Sequence, residues 1–154
     1  MALSPQLSGA LHDWIDVFMY RAMRELLRLL RARGLSLSHY SLLMRLYKEG
    51  PCVVGDVADM LGVSRPAATQ LIDHFVAERW VTRVEKAEDR RYMTVALTLR
   101  GRALTEECIA VRHRWLDDLS PLPAARERAI IAGLNALTDE VTRFQAAPNK
   151  RKSS

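Results

Sequence analysis

At 154 residues, 49% hydrophobic and 27% charged, the chain has the length of one domain and a globular composition. Two distant cysteines, Cys52 and Cys108, exclude a disulfide scaffold, and no apolar run approaches the ~18 residues of a membrane span. Lys and Arg outnumber Asp and Glu by 23 to 18, and the resulting +5 favours a polyanionic partner without bearing on the fold.

The opening MALSPQLSGALHDW has no basic start followed by an apolar core, so no secretory signal is expected. The cysteine usage fits a reducing cytoplasm. Leu7, Leu11, Trp14, Phe18, Ala22, Leu26 and Leu29 recur at helical spacing and predict a first helix from Leu7 to Arg33, closed by Gly34. A second stripe, Ile15, Met19, Met23, Leu27 and Leu30, runs beside the first. A face that wide needs more than one partner.

Ser38 is expected to cap a second helix, HYSLLMRLYKE, which stops at Gly50-Pro51. A short third helix, VGDVADML, has Val54, Val57, Ala58 and Leu61 on one side. After the tight turn Gly62-Val63-Ser64, a fourth helix runs from Arg65 to about Arg79 with Ser64 as its cap. Its period points Ala68, Leu71, Ile72 and Phe75 inward and Arg65, Pro66, Thr69, Gln70 and Asp73 outward. Pro66 is tolerated because first-turn N–H groups have no partner within the helix.

After Trp80 the pattern becomes extended. Val81–Glu85 and Tyr92–Leu97 read as two strands of a hairpin with the charged tip Lys86-Ala87-Glu88-Asp89-Arg90-Arg91. Thr98 caps a fifth helix, expected from Leu99 to about Leu119, and Ser120-Pro121-Leu122-Pro123 interrupts it. A sixth helix reaches about Gln145 with a seam of Ile130, Leu134, Leu137, Val141 and Phe144. Two heptads predict a packed helix pair rather than a coiled coil. The terminal NKRKSS reads as a basic disordered tail that solubilises a frayed end or touches a nucleic acid.

Helix, short helix, glycine turn, helix and hairpin is the order of a winged helix-turn-helix, whose second helix enters a major groove. In that setting Ser64 and Thr69 can bond phosphates or bases, Gln70 can pair with adenine and Arg65 with guanine. His74 lies either at the same surface or over the core. Arg90 and Arg91 at the hairpin tip can enter an adjacent minor groove. Without the turn and the hairpin, the same polar residues would read as a solvated helix face. The charge is also local: seven basic against three acidic residues between Arg79 and Arg102 supply +4 of the total +5.

The segment GDVADMLGVSRPAATQLIDHFVAERWVTRVEKAEDRRYMTVALTLRGRAL, within Ser38 to Glu106, resembles the MarR family of bacterial winged helix-turn-helix transcriptional regulators. Its most specific parts are Asp89-Arg90-Arg91 and the exit Leu97-Thr98-Leu99-Arg100-Gly101. The resemblance implies a mostly α fold with a small β-hairpin wing, flanked by N- and C-terminal dimerisation helices. It implies a homodimer on a pseudo-palindromic operator in double-stranded DNA, with recognition positions at Ser64, Arg65, Pro66, Thr69 and Gln70. The wing arginine falls on Arg91, with Asp89 as its support and Arg90 adjacent. The organisation expected is a dimerisation helix at 1–34, a DNA-binding lobe at 35–99, dimerisation helices at 100–146 and the tail at 147–154.

The family's small aromatic anionic effectors imply a crevice for which Trp14, Phe18, His39, Tyr40 and Trp115 are the candidates, although aromatics at helical spacing more often pack. Related redox sensors carry a cysteine early in the first helix, and none stands there. Cys52, read as lying at a helix start, and Cys108 are either inert core thiols or, for Cys52, an activated thiolate. The four histidines are scattered and His113 with Asp117 reads as a solvated pair, so neither metal nor cofactor is expected. No nucleophile elbow, P-loop or dinucleotide motif points to an enzyme. The expectation is a ligand-responsive repressor. The alternatives are a sequence-blind architectural DNA protein and a sensor acting through a protein partner.

Overall fold

The computed structural model describes residues 3–86 and 89–146, with side chains outside 85–93 and 145–146. The chain forms helices α1 (Pro5–Ala32), α2 (Leu37–Glu49), α3 (Val54–Leu61), α4 (Arg65–Ala77), α5 (Leu99–His113) and α6 (Ala124–Ala146). Strands β1 (Cys52–Val53), β2 (Val81–Lys86) and β3 (Asp89–Leu97) make one antiparallel sheet in the order β1-β3-β2. Two compact units result, residues 1–118 and 119–154.

In the first unit the core gathers Leu26 and Leu30 of α1, Leu42, Leu43 and Leu46 of α2, Val57 of α3, and Ala68, Ile72 and Phe75 of α4. Leu104 and Cys108 bring α5 into the same core. The inward face expected of α4 is therefore the observed one, with Leu71 half-buried beside it. Only the C-terminal half of α1 is covered in this way. Leu7, Trp14, Ile15 and Met19, from both apolar stripes, stay exposed.

Several boundaries differ from expectation for identifiable reasons. The cap of α2 is Ser36, not Ser38: its side chain accepts from His39 N at 3.2 Å, and its own N–H donates to His39 Nδ1 at 3.1 Å. This is a capping box closed by an imidazole in the place of the usual Glu or Gln. Helix α5 ends at His113 and tightens into a 3-10 turn, Arg114–Asp118, which buries Trp115. Cys52 lies in a strand rather than at a helix start. It pairs with Val95, as Val53 does with Thr94, adding a third strand to the expected hairpin.

The turn from α4 to β2 is pinned to the start of α5. Arg79 has φ 58, the left-handed position that usually takes glycine after a helix, while Trp80 N–H closes back on the Phe75 carbonyl at 2.9 Å. The Thr98 hydroxyl donates to the Arg79 carbonyl at 2.6 Å, and Thr98 N–H to the Trp80 carbonyl at 3.0 Å. The same hydroxyl accepts from Gly101 N at 3.0 Å, so it also caps α5. The end of α4, the start of β2 and the start of α5 thus share one hydrogen-bonded joint.

In the second unit α6 carries Ile130, Leu134, Val141 and Phe144 exposed along its length, with Leu137 half-buried. Thr138 and Thr142 return their hydroxyls to the carbonyls of Leu134 and Thr138 at 2.8 Å. The tail at 147–154 lies outside the described residues.

Candidate nucleic-acid interface

The outward face of α4 is built from its cap. Ser64 Oγ accepts from Ala67 N at 3.4 Å and keeps its own proton to donate. Arg65 and Pro66 open the helix and are exposed, and no acid stands in the first turn. A Cβ on Gly55 would stand 3.8 Å from Arg65 Nη2, so the guanidinium rests beside the start of α3. Gln70 is exposed. Thr69 is half-buried, and its hydroxyl donates to the Arg65 carbonyl at 2.9 Å, leaving it an acceptor only.

Asp73, one turn further, meets Arg83 of β2 in an ion pair that ties the outward face to the wing. Nothing in the local sequence pattern marks this pair, because it crosses from helix to strand. Asp89, Arg90 and Arg91 belong to the first residues of β3, and their side chains lie outside the described residues.

His74 is exposed, but its ring also stacks on His39 of α2, with centroids 5.3 Å apart and planes 28° apart. The Trp80 ring meets His74 edge-on at 5.7 Å, and Phe75 meets His39 at 5.3 Å. Burial and the charge of His74 both lower the pKa of His39. His74 therefore joins α4 to α2 as well as facing outward.

The five residues named for an effector crevice divide among three places. Trp14 and Phe18 of α1 meet Trp115, with centroids 6.2 and 6.3 Å away. His39 belongs to the histidine stack. Tyr40 lines a cleft of about 580 Å³ between α2, α3 and α5, with Met44, Arg45, Lys48, Met60 and Arg112. There Arg112 Nη1 donates to the Tyr40 hydroxyl at 3.0 Å, while its buried Nε has no partner among the described residues. Burial, more than Arg112 offsets, pushes the Tyr40 phenol up and keeps it protonated. Arg112 was not singled out by sequence because it is one arginine among many on a helix.

Both cysteines are core groups. Burial is the main cause raising the thiol pKa of Cys52 and of Cys108. Neither environment favours a reactive thiolate.

A family model described as the MarR family matches residues 33–91, the span from the end of α1 to the wing. The chain is 29% identical over 93 residues to the HTH-type transcriptional regulator YwhA of Bacillus subtilis, covering 58% of this chain and 67% of that one. It is 32% identical over 108 residues to YfiV of the same organism, covering 68% and 66%. The fold is similar to that of the transcriptional regulator Tm0710 from Thermotoga maritima, at TM-score 0.77 and 23% identity over 90% of this chain and 98% of that one. A MarR family protein from Bacillus stearothermophilus gives TM-score 0.67 at 20% identity over 92% and 99%. Over residues 33–91, which hold its winged helix-turn-helix, the chain matches the MarR family, and the curated relatives it resembles are HTH-type transcriptional regulators.

Proposed function

We propose that the protein is a homodimeric, sequence-specific DNA-binding repressor acting on a pseudo-palindromic operator in the cytoplasm. The observation that carries this reading is the outward face of α4, exposed at Ser64, Arg65, Pro66 and Gln70 and joined to the wing through Asp73 and Arg83. In a major groove Gln70 would read adenine and Arg65 guanine, while Ser64 and the helix N-terminus would hold phosphate. Arg90 and Arg91 would reach the minor groove from the wing, with Asp89 steadying Arg91. The uncovered apolar half of α1 and the seam of α6 supply surface for a second copy.

Selection of bound duplexes from a random pool, at fixed salt, tests this. An inverted repeat with half-sites about one helical turn apart supports the reading. Binding without preference would indicate an architectural protein, and no binding would indicate a sensor acting through a protein partner. Gln70→Ala should relax preference at one base per half-site, whereas Arg91→Ala should reduce the salt slope by ~0.9 per lost phosphate contact.

An effector, on this reading, is a small aromatic anion held at the Tyr40–Arg112 end of the cleft. Arg112, whose buried Nε has no partner among the described residues, would bring a cation to the carboxylate, and Met44 and Met60 offer apolar wall. Trp14, Phe18 and Trp115 would then act as packing beside the crevice, and His39 through α2. Benzoate titrated into the protein–operator complex should release DNA, with Arg112→Met weakening the response.

A further inference from the structure

We propose that the His39–His74 stack is a proton-operated latch between the N-terminus of α2 and the recognition helix, engaged when the pair is uncharged and released on acidification. Three contacts converge on one ring. His39 Nδ1 accepts the Ser36 N–H at 3.1 Å, its face lies on His74 at 5.3 Å, and its edge meets Phe75 of α4 at 5.3 Å. The accepting Nδ1 must be unprotonated, so in this arrangement the ring is neutral with its proton on Nε2.

A proton on Nδ1 would set two donors against each other, Ser36 N–H and the imidazolium N–H. The capping box would open at that end. A second proton on the pair would place two cations in a stack whose other neighbours are the aromatic rings of Phe75 and Trp80. The surrounding charges do not relieve this. Helix α2 has no acid in its first turn, and Asp73 of α4 is turned to Arg83. Glu78, at the end of α4, lines a second cavity, distinct from the Tyr40 cleft, with Arg33, Arg100 and Glu107. His74 is the only charge found to act on His39 among the described residues, and it acts against protonation.

The sign follows. The pKa of His39 is depressed in the folded chain, so its contribution to stability is full above its ordinary value of 6.5 and falls as the pH drops below that. Since α4 carries the outward polar face, the coupling to DNA rests on the function proposed above. Opening the latch would cost α4 its support from α2 and weaken specific binding. Non-specific attraction to phosphate does not depend on that support, so acidification should lower the ratio of specific to non-specific affinity.

The test has two arms, both on the full chain. In an NMR titration from pH 7.5 to 5, the Ser36 amide should move with the His39 imidazole. His74→Gln should raise the His39 midpoint. His39→Gln, whose amide oxygen can still accept from Ser36, should silence Ser36 over that range. A Ser36 amide indifferent to His39, or a His39 midpoint unmoved by His74→Gln, overturns the latch. In the second arm a selected duplex and a scrambled duplex are bound at pH 7.5 and 5.5 at equal ionic strength. The specific-to-scrambled ratio should fall in the unmodified protein and fall less in His39→Gln. Equal falls in both proteins overturn the coupling to DNA. If no duplex is selected the proposed function fails, while the first arm still decides the latch.

Discussion

Gly101 packs so closely under the Trp80 carbonyl that a side chain of any size would overlap it. A Cβ at this position would stand 2.8 Å from the carbonyl carbon and 3.0 Å from Leu97 Cδ2. The neighbour is backbone, which cannot swing aside as a side-chain tip can. Gly101→Ala should therefore destabilise the protein by about 3 kcal/mol or more, read from the urea midpoint. Gly62→Ala makes the contrast. Its surroundings are open, and only the left-handed φ of 63 opposes a side chain, so a loss of ~1–2 kcal/mol is expected.

The cap of α4 can be removed without touching the core. Ser64→Ala should cost ~1 kcal/mol of stability through loss of the acceptor for Ala67 N–H. Ser64→Asp should restore stability but place an anion where phosphate is expected. Thermal melts and duplex binding, measured on the same samples, should separate the two effects.

Asp73 holds Arg83 in an ion pair of two partly exposed side chains, so the pair adds little to stability. Its effect should show in DNA binding instead. Asp73→Ala removes an anion from the outward face of α4 and frees a guanidinium, which should steepen the salt dependence by ~0.9 if Arg83 reaches a phosphate. An unchanged slope would place Arg83 away from the backbone.

Cys52 and Cys108 should resist alkylation at pH 7.5 in the native protein, since both thiols are buried with raised pKa. Both should react promptly in guanidinium chloride. Fast labelling of either thiol under native conditions would contradict the packing described.

Much of the fold was readable because local chemistry repeats itself. The bounds of α3, the caps Ser64 and Thr98, and the inward face of α4 each follow from a period or a cap that spans a few residues. The exceptions all involve partners distant in sequence or unusual in type. Ser36 was overlooked as a cap because histidine, not glutamate, completes its box. Strand β1 has two residues and no period of its own, and its partner Val95 lies beyond two helices and a strand. The Asp73–Arg83 pair, the His39–His74 stack and the Tyr40–Arg112 contact exist only once the elements have packed. The outward face of α4 at Ser64, Arg65, Pro66 and Gln70 was legible for the opposite reason: exposure on one side of a short helix is a property of spacing.

The pairing of Cys52 with Val95 also orders events during synthesis. A chain leaving the ribosome presents α1 to α4 before β3 exists, so β1 must wait with its ladder groups unpaired. Unpaired strand edges are templates for aggregation. Two residues offer a nascent neighbour very little to grip, and the strand's brevity protects the chain over the interval before its own partner is translated.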